Sequence, residues 1–443
     1  MKPLSSSPRP LDVLAIGCGP FNLGLAALGS GLPGLRMATV DARDELRWHP
    51  GLMIDDARLQ VGFLADLVSL VDPTHPLSFL AYLRDVDRMY PFYVRERFHM
   101  TREEYQDYLR WAARRLPTVH FGRRVERVER SEDGQAFHVD IASVDGTEQV
   151  CARHLVLGIG TEAWAPDCVR DLDPSYWLHS GDYLHRRDDI ARARRVTVVG
   201  SGQSGAEVVL DLLRHRDGPH VGVSWLTRTC AFAPLDYTKL VLEMTTPEYV
   251  TYFHGLPRAT RDALVAGQWR HYKGISSETL EEIHDLLYRG AVRHGHPDVE
   301  LRHGVEIEAC DPIPEGIRMR CRHRESGQIL CHDTDLIIAA TGYRPRSPSF
   351  LEPVMNELSR DELGRFVVDI DHAIVGDGPP TGRIFVANAD THSHGVAAPD
   401  LGIGAYRNAR ILNAVMGREV HRLPRRTAFT SFDPSLAPRR KAS

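Results

Sequence analysis

The chain has 443 residues, of which 42% are hydrophobic and 26% charged, so it is long enough to form two or three globular domains. Its formal net charge of −5 gives no electrostatic case for binding nucleic acid or an anionic membrane. No apolar stretch approaches the roughly 20 residues that span a bilayer, and no secretory signal is visible, so we expect a cytoplasmic protein. The seven cysteines include no C-x-x-C pair, which argues against a disulfide framework or a dithiol redox centre.

A strand–turn–helix unit is predicted close to the N-terminus. An apolar run at 11–17 predicts a buried strand, and a Gly/Ala/Leu-rich stretch at 20–30 predicts a helix that packs closely on a sheet. The turn between them reads Gly17-Cys18-Gly19-Pro20-Phe21-Asn22, and such a turn can seat a pyrophosphate on the helix N-terminus. A second strand at 35–40 ends at Asp41, where a carboxylate would bind an adenosine ribose.

The next part of the chain predicts helices followed by antiparallel strands. Apolar periodicity indicates helices over 76–92 and 101–116. Residues 118–157 alternate apolar and polar positions in short runs, which is typical of β-hairpins. A strand at 155–157 then runs into a glycine turn at 158–160.

A second strand–turn–helix unit begins near residue 195. The apolar run at 196–199 leads into the turn Gly200-Ser201-Gly202-Gln203-Ser204, which lies 183 residues after the first turn. The next predicted strand ends at Arg228, where NADP-binding units place a base for the 2′-phosphate. One such turn is a weak signal, whereas two in this order indicate two dinucleotides, as in a flavin that receives hydride from a nicotinamide.

The C-terminal half changes character twice. Amphipathic helices are predicted over 236–292, and strands return at 300–322 and 336–343. A last strand is predicted at 384–388 and a final helix at 402–416.

Several motifs outside the two turns complete the pattern. They read Arg47-Trp48-His49-Pro50-Gly51, Leu59-Gln60-Val61-Gly62-Phe63-Leu64-Ala65-Asp66-Leu67-Val68, Asp72-Pro73-Thr74, Ser78-Phe79-Leu80, Pro234-Leu235-Asp236-Tyr237, Ala340-Thr341-Gly342-Tyr343 and His394-Gly395. With the two turns, they make a chain that resembles the N-hydroxylating flavin monooxygenases, which are the ornithine, lysine and diamine N-monooxygenases of siderophore pathways. In that family the first turn also has asparagine where the dinucleotide fingerprint has its third glycine, which accounts for Asn22.

The resemblance implies an α/β fold with two Rossmann-like dinucleotide-binding domains and a small helical substrate region. The implied organisation is an FAD-binding domain at 1–190, an NADPH-binding domain at 191–345 with a helical substrate insert at about 236–292, a return of the FAD-binding domain at 346–425, and a flexible tail at 426–443. It also implies homo-oligomers, often tetramers.

The resemblance further implies a reaction. NADPH reduces FAD, O2 adds to give a C4a-hydroperoxyflavin, and an unprotonated primary amine attacks its distal oxygen and leaves as a hydroxylamine. The flavin carries the difficult step, while protein groups position the amine and exclude water.

Residue roles follow from the matched motifs. The residues expected at FAD are Gly17, Gly19, Pro20, Asn22, Leu23 and Asp41. Those expected at NADP(H) are Gly200, Ser201, Gly202, Gln203, Ser204 and Arg228, and the stretch Thr341, Gly342 and Tyr343 is also expected to bind cofactor. The residues expected near the flavin, as catalytic residues, are Trp48, His49 and Gln60, and Gln60 would hydrogen-bond near the reacting end. No metal ligands are expected.

On the substrate side, this chain departs from the ornithine enzymes. A lysine that binds the amino-acid carboxylate in those enzymes is replaced by Ala65, and two asparagines that hold the head group align with Leu242 and His271. Charge-assisted hydrogen bonds to a buried carboxylate contribute about 1.5–3 kcal/mol each, so their joint loss predicts a substrate without an α-carboxylate. We expect an aliphatic diamine, cadaverine or putrescine, whose far ammonium would be held by Glu243 or Asp400.

Other interpretations stay open. L-Lysine fits if Lys239 or His271 supplies the missing positive charge, and L-ornithine is the other amino-acid alternative. A Baeyer–Villiger or S/N-oxidising flavin monooxygenase matches less well, because its linker fingerprint is only half present, at Gly181 and His185. A disulfide reductase would need a cysteine pair. From a different class, the chain could be a non-catalytic nucleotide-sensing protein.

Overall fold

The computed structural model describes residues 4, 9–215, 222–295, 299–376 and 381–434. The strands are β1 Leu11–Ile16, β2 Met37–Val40, β3 Arg58–Gly62, β4 His99–Thr101, β5 Val119–His120, β6 Arg124–Arg130, β7 Phe137–Ser143, β8 Gly146–Leu157, β9 Thr161–Ala163, β10 Trp177–His179, β11 Arg195–Val199, β12 Gly222–Leu226, β13 Val299–Arg302, β14 Val305–Ile313, β15 Gly316–His323, β16 Ile329–Thr334, β17 Leu336–Ala339, β18 Tyr343–Pro345 and β19 Ile384–Val386.

Helices alternate with these strands. The α-helices are α1 Pro20–Gly29, α2 Phe79–Asp85, α3 Met89–Arg95, α4 Arg102–Arg114, α5 Asp167–Arg170, α6 Arg187–Arg192, α7 Gln203–Arg214, α8 Pro247–His254, α9 Arg258–Gly267, α10 Arg270–Lys273, α11 Ser277–His294, α12 Thr391–His394 and α13 Gly404–Met416. Short 3-10 segments lie at Pro50–Leu52, Ser180–Arg186, Leu242–Thr245, Ser349–Glu357, Gly395–Ala397 and Leu401–Ile403. Across the described stretches, we find no helix that has both the length and the apolar character to span a bilayer.

The first sheet carries the first glycine-rich turn. Its strands run in the order β5-β2-β1-β8-β7-β6, and β19 also pairs with β8. Strands β2, β1, β8 and β19 are mutually parallel where they pair, so their carboxyl ends meet at one edge, beside the turn that follows β1. Because β1 is fully buried from Val13 onward and α1 is rich in small residues, α1 packs closely between this sheet and α13. Strands β6 to β8 form the predicted antiparallel hairpins.

The second sheet is parallel and carries the second turn. Its order is β10-β17-β11-β12-β13, with Val199 of β11 opposite Leu226 of β12 and Ala339 of β17. The loops that follow these three strands therefore lie side by side at one edge. Helices α7 and α11 cover one face of the sheet. Strands β14 to β16 form a separate antiparallel sheet.

One local prediction differs from the structure. The single helix predicted over 76–92 is two helices, α2 and α3, because Asp87 takes a left-handed conformation (φ 56°) that ends the first of them. The flexible tail at 426–443 stays a prediction, and its described part, 426–434, is hydrogen-bonded to α8 and to the 3-10 segment before it. The remainder, 435–443, lies outside the described residues.

Two acidic residues attach this tail segment. Glu248 accepts hydrogen bonds from the backbone N–H groups of Thr427 and Ala428, and Glu243 accepts from those of Phe429 and Thr430. Charge-assisted bonds of this kind are stronger than neutral ones. The segment is therefore part of the folded structure up to the last described residues.

Candidate active site

The first turn is built to receive an anion. Gly17 has φ +89°, and a β-carbon there would collide with the carbonyl oxygen of Gly158, so only glycine fits. Gly19 caps α1 without a side chain, and no described atom lies within 4 Å of where its β-carbon would be. Pro20 follows at the first helical position, and the first turn of α1 has no acid. Free backbone N–H groups therefore face open space, an arrangement that fits a pyrophosphate.

Asn22 and Leu23 support this turn from inside the protein. Both side chains are fully buried, and the amide of Asn22 donates to the carbonyl oxygens of Ile16 (3.1 Å) and Gly17 (2.8 Å). This bridge fastens helix to strand, as the third glycine does through close contact in other dinucleotide sites. The side chains of Asn22 and Leu23 therefore support the turn from inside the protein, and their expected place in the loop at the FAD pyrophosphate stays a prediction.

Asp41 lies just after β2, but its carboxylate is already occupied. Oδ2 accepts from the backbone N–H of Cys18 (2.7 Å) and from Arg43 Nη2 (2.8 Å), and Oδ1 accepts from the N–H (2.8 Å) and Nε (2.9 Å) of Arg43. Burial alone would raise the pKa of Asp41, but these bonds outweigh it and lower the pKa below its usual value. A ribose at this edge would meet Arg43, which the sequence reasoning missed, or would have to displace it.

The second turn repeats the design of the first. Gly200 has φ +125°, and a β-carbon there would collide with the backbone after β17. Gly202 caps α7 without a side-chain bond, and no acid follows in the first turn. The hydroxyl of Ser201 is bonded (2.8 Å) to the threonine that follows Arg228, so the turn and the end of β12 are tied together. Ser204 is half-buried in the first turn of α7.

Gln60 and Gln203 meet where the two sheets approach each other. Nε2 of Gln60, on β3, lies 3.3 Å from Oε1 of Gln203 and 3.5 Å from the carbonyl oxygen of Gly274. Oε1 of Gln203 also accepts from the backbone N–H of Ser276 (2.8 Å), and its Nε2 donates to Glu207 (2.9 Å). A residue predicted beside the flavin and one predicted beside the nicotinamide nucleotide therefore share one hydrogen-bond network.

An ion pair reinforces this junction. Arg102, at the start of α4, donates to Glu207 on α7 (2.8 Å), and their side chains are only 13% and 6% exposed. Burial raises the pKa of Glu207, and the charge of Arg102 opposes that rise. The sequence reasoning missed the pair because its members are 105 positions apart and neither stood out as a functional residue.

Trp48 and His49 lie near this junction, since the charge of Arg102 acts on His49. The Trp48 ring packs edge-on against Tyr105 (5.0 Å between ring centroids) and His49 (4.9 Å), and His49 lies 6.2 Å from Tyr343. The imidazole is accessible, but the protein around it and the charges of nearby arginines lower the pKa of His49 to about 4. At neutral pH His49 is therefore uncharged and too weak a base to take a proton from an alkylammonium ion. No contact of either residue with Gln60 is found in the described part of the chain.

The stretch after β17 connects the second sheet back to the first. Thr341 donates its hydroxyl to the carbonyl oxygen of Trp164, and the carbonyl oxygen of Gly342 lies 3.0 Å from Nε2 of His179. Tyr343 begins β18, which pairs with β9, and its ring lies 4.9 Å from that of His179. The hydroxyl of Thr341 is therefore already used in a hydrogen bond within the protein.

Ala65 and Asp400 flank Gly402. A β-carbon on Gly402 would lie 3.0 Å from Oδ1 of Asp400 and 3.9 Å from Cβ of Ala65. Asp400 accepts the backbone N–H of Gly402 (2.6 Å), and burial raises its pKa despite that bond and the charge of Arg407. Its own charge in turn helps burial to raise the pKa of Tyr237. Within the described residues Asp400 forms no ion pair, so a half-buried carboxylate is left near an alanine.

The remaining predicted substrate residues lie in the helical region. Leu242 begins the 3-10 segment that packs against residues 395–397, directly before the Asp400 loop. Nδ1 of His271 is buried without a hydrogen-bond partner in the described structure, whereas Lys239 is exposed. Glu243, the other acid considered for the far ammonium, is buried and accepts two backbone N–H groups of the tail.

Two turns that suit a pyrophosphate each follow a parallel strand, one in each of two sheets, and a hydrogen bond joins Gln60 to Gln203, which adjoins the second turn. This arrangement is typical of an oxidoreductase that brings two dinucleotides together. The chain belongs to the L-lysine 6-monooxygenase/L-ornithine 5-monooxygenase family, whose model matches residues 9–345. It is therefore an enzyme, and the interpretation as a non-catalytic nucleotide-sensing protein is set aside. The predictions of the family and of two Rossmann-like domains are confirmed.

The chain is also similar to individual members of this family. The chain is 38% identical over 427 residues to a putrescine N-hydroxylase of Shewanella oneidensis, which covers 96% of this chain and 84% of that protein. It is 39% identical over 429 residues to the rhizobactin siderophore biosynthesis protein RhbE of Rhizobium meliloti, covering 95% and 94%. Its fold is similar to that of FAD-bound DfoA, the cadaverine monooxygenase of desferrioxamine biosynthesis in Erwinia amylovora, with a TM-score of 0.92, 38% identity and coverage of 97% and 100%.

Proposed function

We propose that this enzyme N-hydroxylates one amino group of an aliphatic diamine, cadaverine or putrescine, for hydroxamate siderophore biosynthesis, using FAD, NADPH and O2. The observation that carries the choice of a diamine is Asp400, which lies beside Ala65 and has no ion-pair partner in the described structure. A carboxylate in that place attracts an ammonium group and repels the carboxylate of an amino acid. The names of the putrescine and cadaverine relatives support the same choice.

The residues of the two glycine-rich turns fit the two cofactors. The open N–H groups at Gly19 suit the FAD pyrophosphate, and those at Gly202 suit the pyrophosphate of NADPH. When bound, FAD reduced by NADPH supplies the activated oxygen. Gln60 is placed to position groups between the two nucleotides, while Trp48 and His49 form a wall that contributes no charge at neutral pH. Because His49 is too weak a base to take a proton from an alkylammonium ion, the amine is expected to react in its unprotonated form.

L-Lysine is the second candidate, and L-ornithine the third. The buried and unpartnered Nδ1 of His271 supports an amino-acid substrate if the ring lies beside its α-carboxylate, and it does so equally for lysine and ornithine. Lys239 is exposed and has no described ion pair, so it offers weaker support. Asp400 opposes both amino acids through charge repulsion.

A panel of amines tests the proposal. Putrescine, cadaverine, L-lysine, L-ornithine and pentylamine are compared by hydroxylamine formation at saturating NADPH. We expect diamines to give the highest kcat/KM and pentylamine, which lacks the far ammonium, to be much poorer. A higher kcat/KM for lysine or ornithine would contradict the diamine assignment, and absence of hydroxylamine from every amine would contradict N-hydroxylation.

We also propose that the enzyme is a homo-oligomer, a tetramer by family resemblance. Support comes from an apolar face on and after α3, where Tyr90, Tyr93, Val94 and Phe98 are 81%, 75%, 73% and 68% exposed. A second copy could cover this face through an isologous contact. Light scattering should give a multiple of the monomer mass, and Tyr93→Asp should reduce it; a monomeric native protein would contradict this proposal.

A further inference from the structure

Two cations from distant parts of the chain flank the N-terminus of α7. Arg228 follows β12, and the residue after it is hydrogen-bonded to Ser201 in the second turn (2.8 Å). Lys273 ends α10, and its carbonyl oxygen lies 3.7 Å from where a β-carbon on Gly202 would be. The helical region therefore brings Lys273 against the same turn that β12 approaches from the other side.

The two side chains act on each other through their charges. Burial lowers the pKa of Lys273, and the positive charge of Arg228 lowers it further. Both residues are exposed, and in the described ranges neither forms an ion pair with an acid. Nζ of Lys273 lies 5.1 Å from the centroid of the Tyr272 ring, which restricts where the ammonium can point. Two neighbouring cations without an acid favour a ligand group that carries two negative charges.

We propose that Lys273, together with Arg228, binds the 2′-phosphate of NADPH and so sets the preference for NADPH over NADH. The 2′-phosphate of an NADP-binding unit lies at the end of the second strand, which here is the position of Arg228. The pyrophosphate is the other phosphate near this turn, but the N–H groups of α7 already suit it. Lys273 thus adds a specificity residue, supplied by the helical region, to the nucleotide site.

Nucleotide binding by the FAD-loaded enzyme tests this directly. Calorimetry compares 2′,5′-ADP, which carries the 2′-phosphate, with 5′-ADP, which lacks it. Lys273→Met removes the ammonium and keeps most of the aliphatic chain, and we expect about tenfold weaker binding of 2′,5′-ADP with unchanged binding of 5′-ADP. The matched control is Arg270→Met, which removes a cation from the same helix that stacks over Trp269 and should leave both nucleotides unaffected.

Three results would overturn the proposal. Equal weakening for both nucleotides would place the ammonium at the pyrophosphate, and no weakening would remove it from the site. Loss of 2′,5′-ADP binding in Lys273→Arg, with a lowered melting temperature, would show a structural role instead. Anaerobic flavin reduction by NADPH and NADH, measured without any amine, gives a second readout of the same preference. A normal nucleotide preference with no amine hydroxylated would count against the proposed function alone.

Discussion

Asp400→Asn isolates the charge that we assign to the far ammonium of a diamine. The substitution keeps the side chain's size, and its amide oxygen can still accept the N–H of Gly402, a bond of 2.6 Å in the native chain. The substitution removes a half-buried negative charge near Ala65. No described cation lies within ion-pair distance of Asp400, but the charge of the buried Arg407 acts on it, and the comparison with pentylamine separates a loss at the substrate from a change at Arg407.

The expected size follows from the kind of bond removed. A charge-assisted hydrogen bond contributes about 1.5–3 kcal/mol, which corresponds to roughly 10- to 150-fold in kcat/KM. Asp400 is half-buried, so we expect about 30-fold for cadaverine, near the middle of that range. Pentylamine has the same chain without a far ammonium and should lose almost nothing.

The assay measures hydroxylamine formation from cadaverine and pentylamine by the native enzyme and the variant at saturating NADPH. Glu243→Gln is the matched control, since Glu243 holds the N–H groups of Phe429 and Thr430. It should lower the melting temperature without changing the ratio of the two amines. Equal losses for both amines in Asp400→Asn, or no loss for either, would show that the charge of Asp400 does not act on the far end of the substrate.

Four further predictions test other parts of the site. Ala65→Lys should lower kcat/KM for cadaverine, because the new ammonium would pair with Asp400 and repel the substrate; unchanged kinetics would mean that residue 65 does not face the amine. Since burial raises the pKa of Asp400, its carboxylate loses its charge as pH falls through that pKa, and the preference for cadaverine over pentylamine should shrink on acidification and persist at higher pH. Gly200→Ala should abolish NADP+ binding in calorimetry, as the added carbon collides with backbone at φ +125°; retained binding would contradict the placement of the turn. Glu207→Gln should leave Arg102 with a buried uncompensated charge and lower the free energy of unfolding by about 3 kcal/mol in urea titration, whereas a change below about 0.5 kcal/mol would show a solvated pair.

The two turns could be predicted because their signal is local. Glycines that need positive φ, such as Gly17 and Gly200, lie directly between an apolar strand and a helix, and a few consecutive residues specify the whole geometry. The same locality explains why the family could be identified from short motifs. It also limits the prediction: the asparagine at position 22 belongs to the motif, but only the structure shows that its amide is buried and ties helix to strand.

The rest of the site depends on contacts between distant parts of the chain. Asp400 and Ala65 are brought together because the loop that contains Asp400 and Gly402 lies against the segment that follows β3. Lys273 lies at the second turn because the helical region packs against that turn. Neither the periodicity nor the spacing of residues in the sequence predicts contacts between such distant positions. Asp41 shows a different limit, since Arg43 is only two positions away, yet its bonds to the carboxylate depend on the loop conformation after β2. Charge partners of this kind decide which acid is free to bind a ligand.

We infer that the substrate site selects a second ammonium in place of an amino-acid carboxylate. The most direct measurement is the ratio of kcat/KM for cadaverine to that for L-lysine, which differ only by the α-carboxylate, with hydroxylated product identified for each. We predict that kcat/KM for cadaverine is well above ten times that for L-lysine. A ratio below one, with N6-hydroxylysine as the main product, would contradict it.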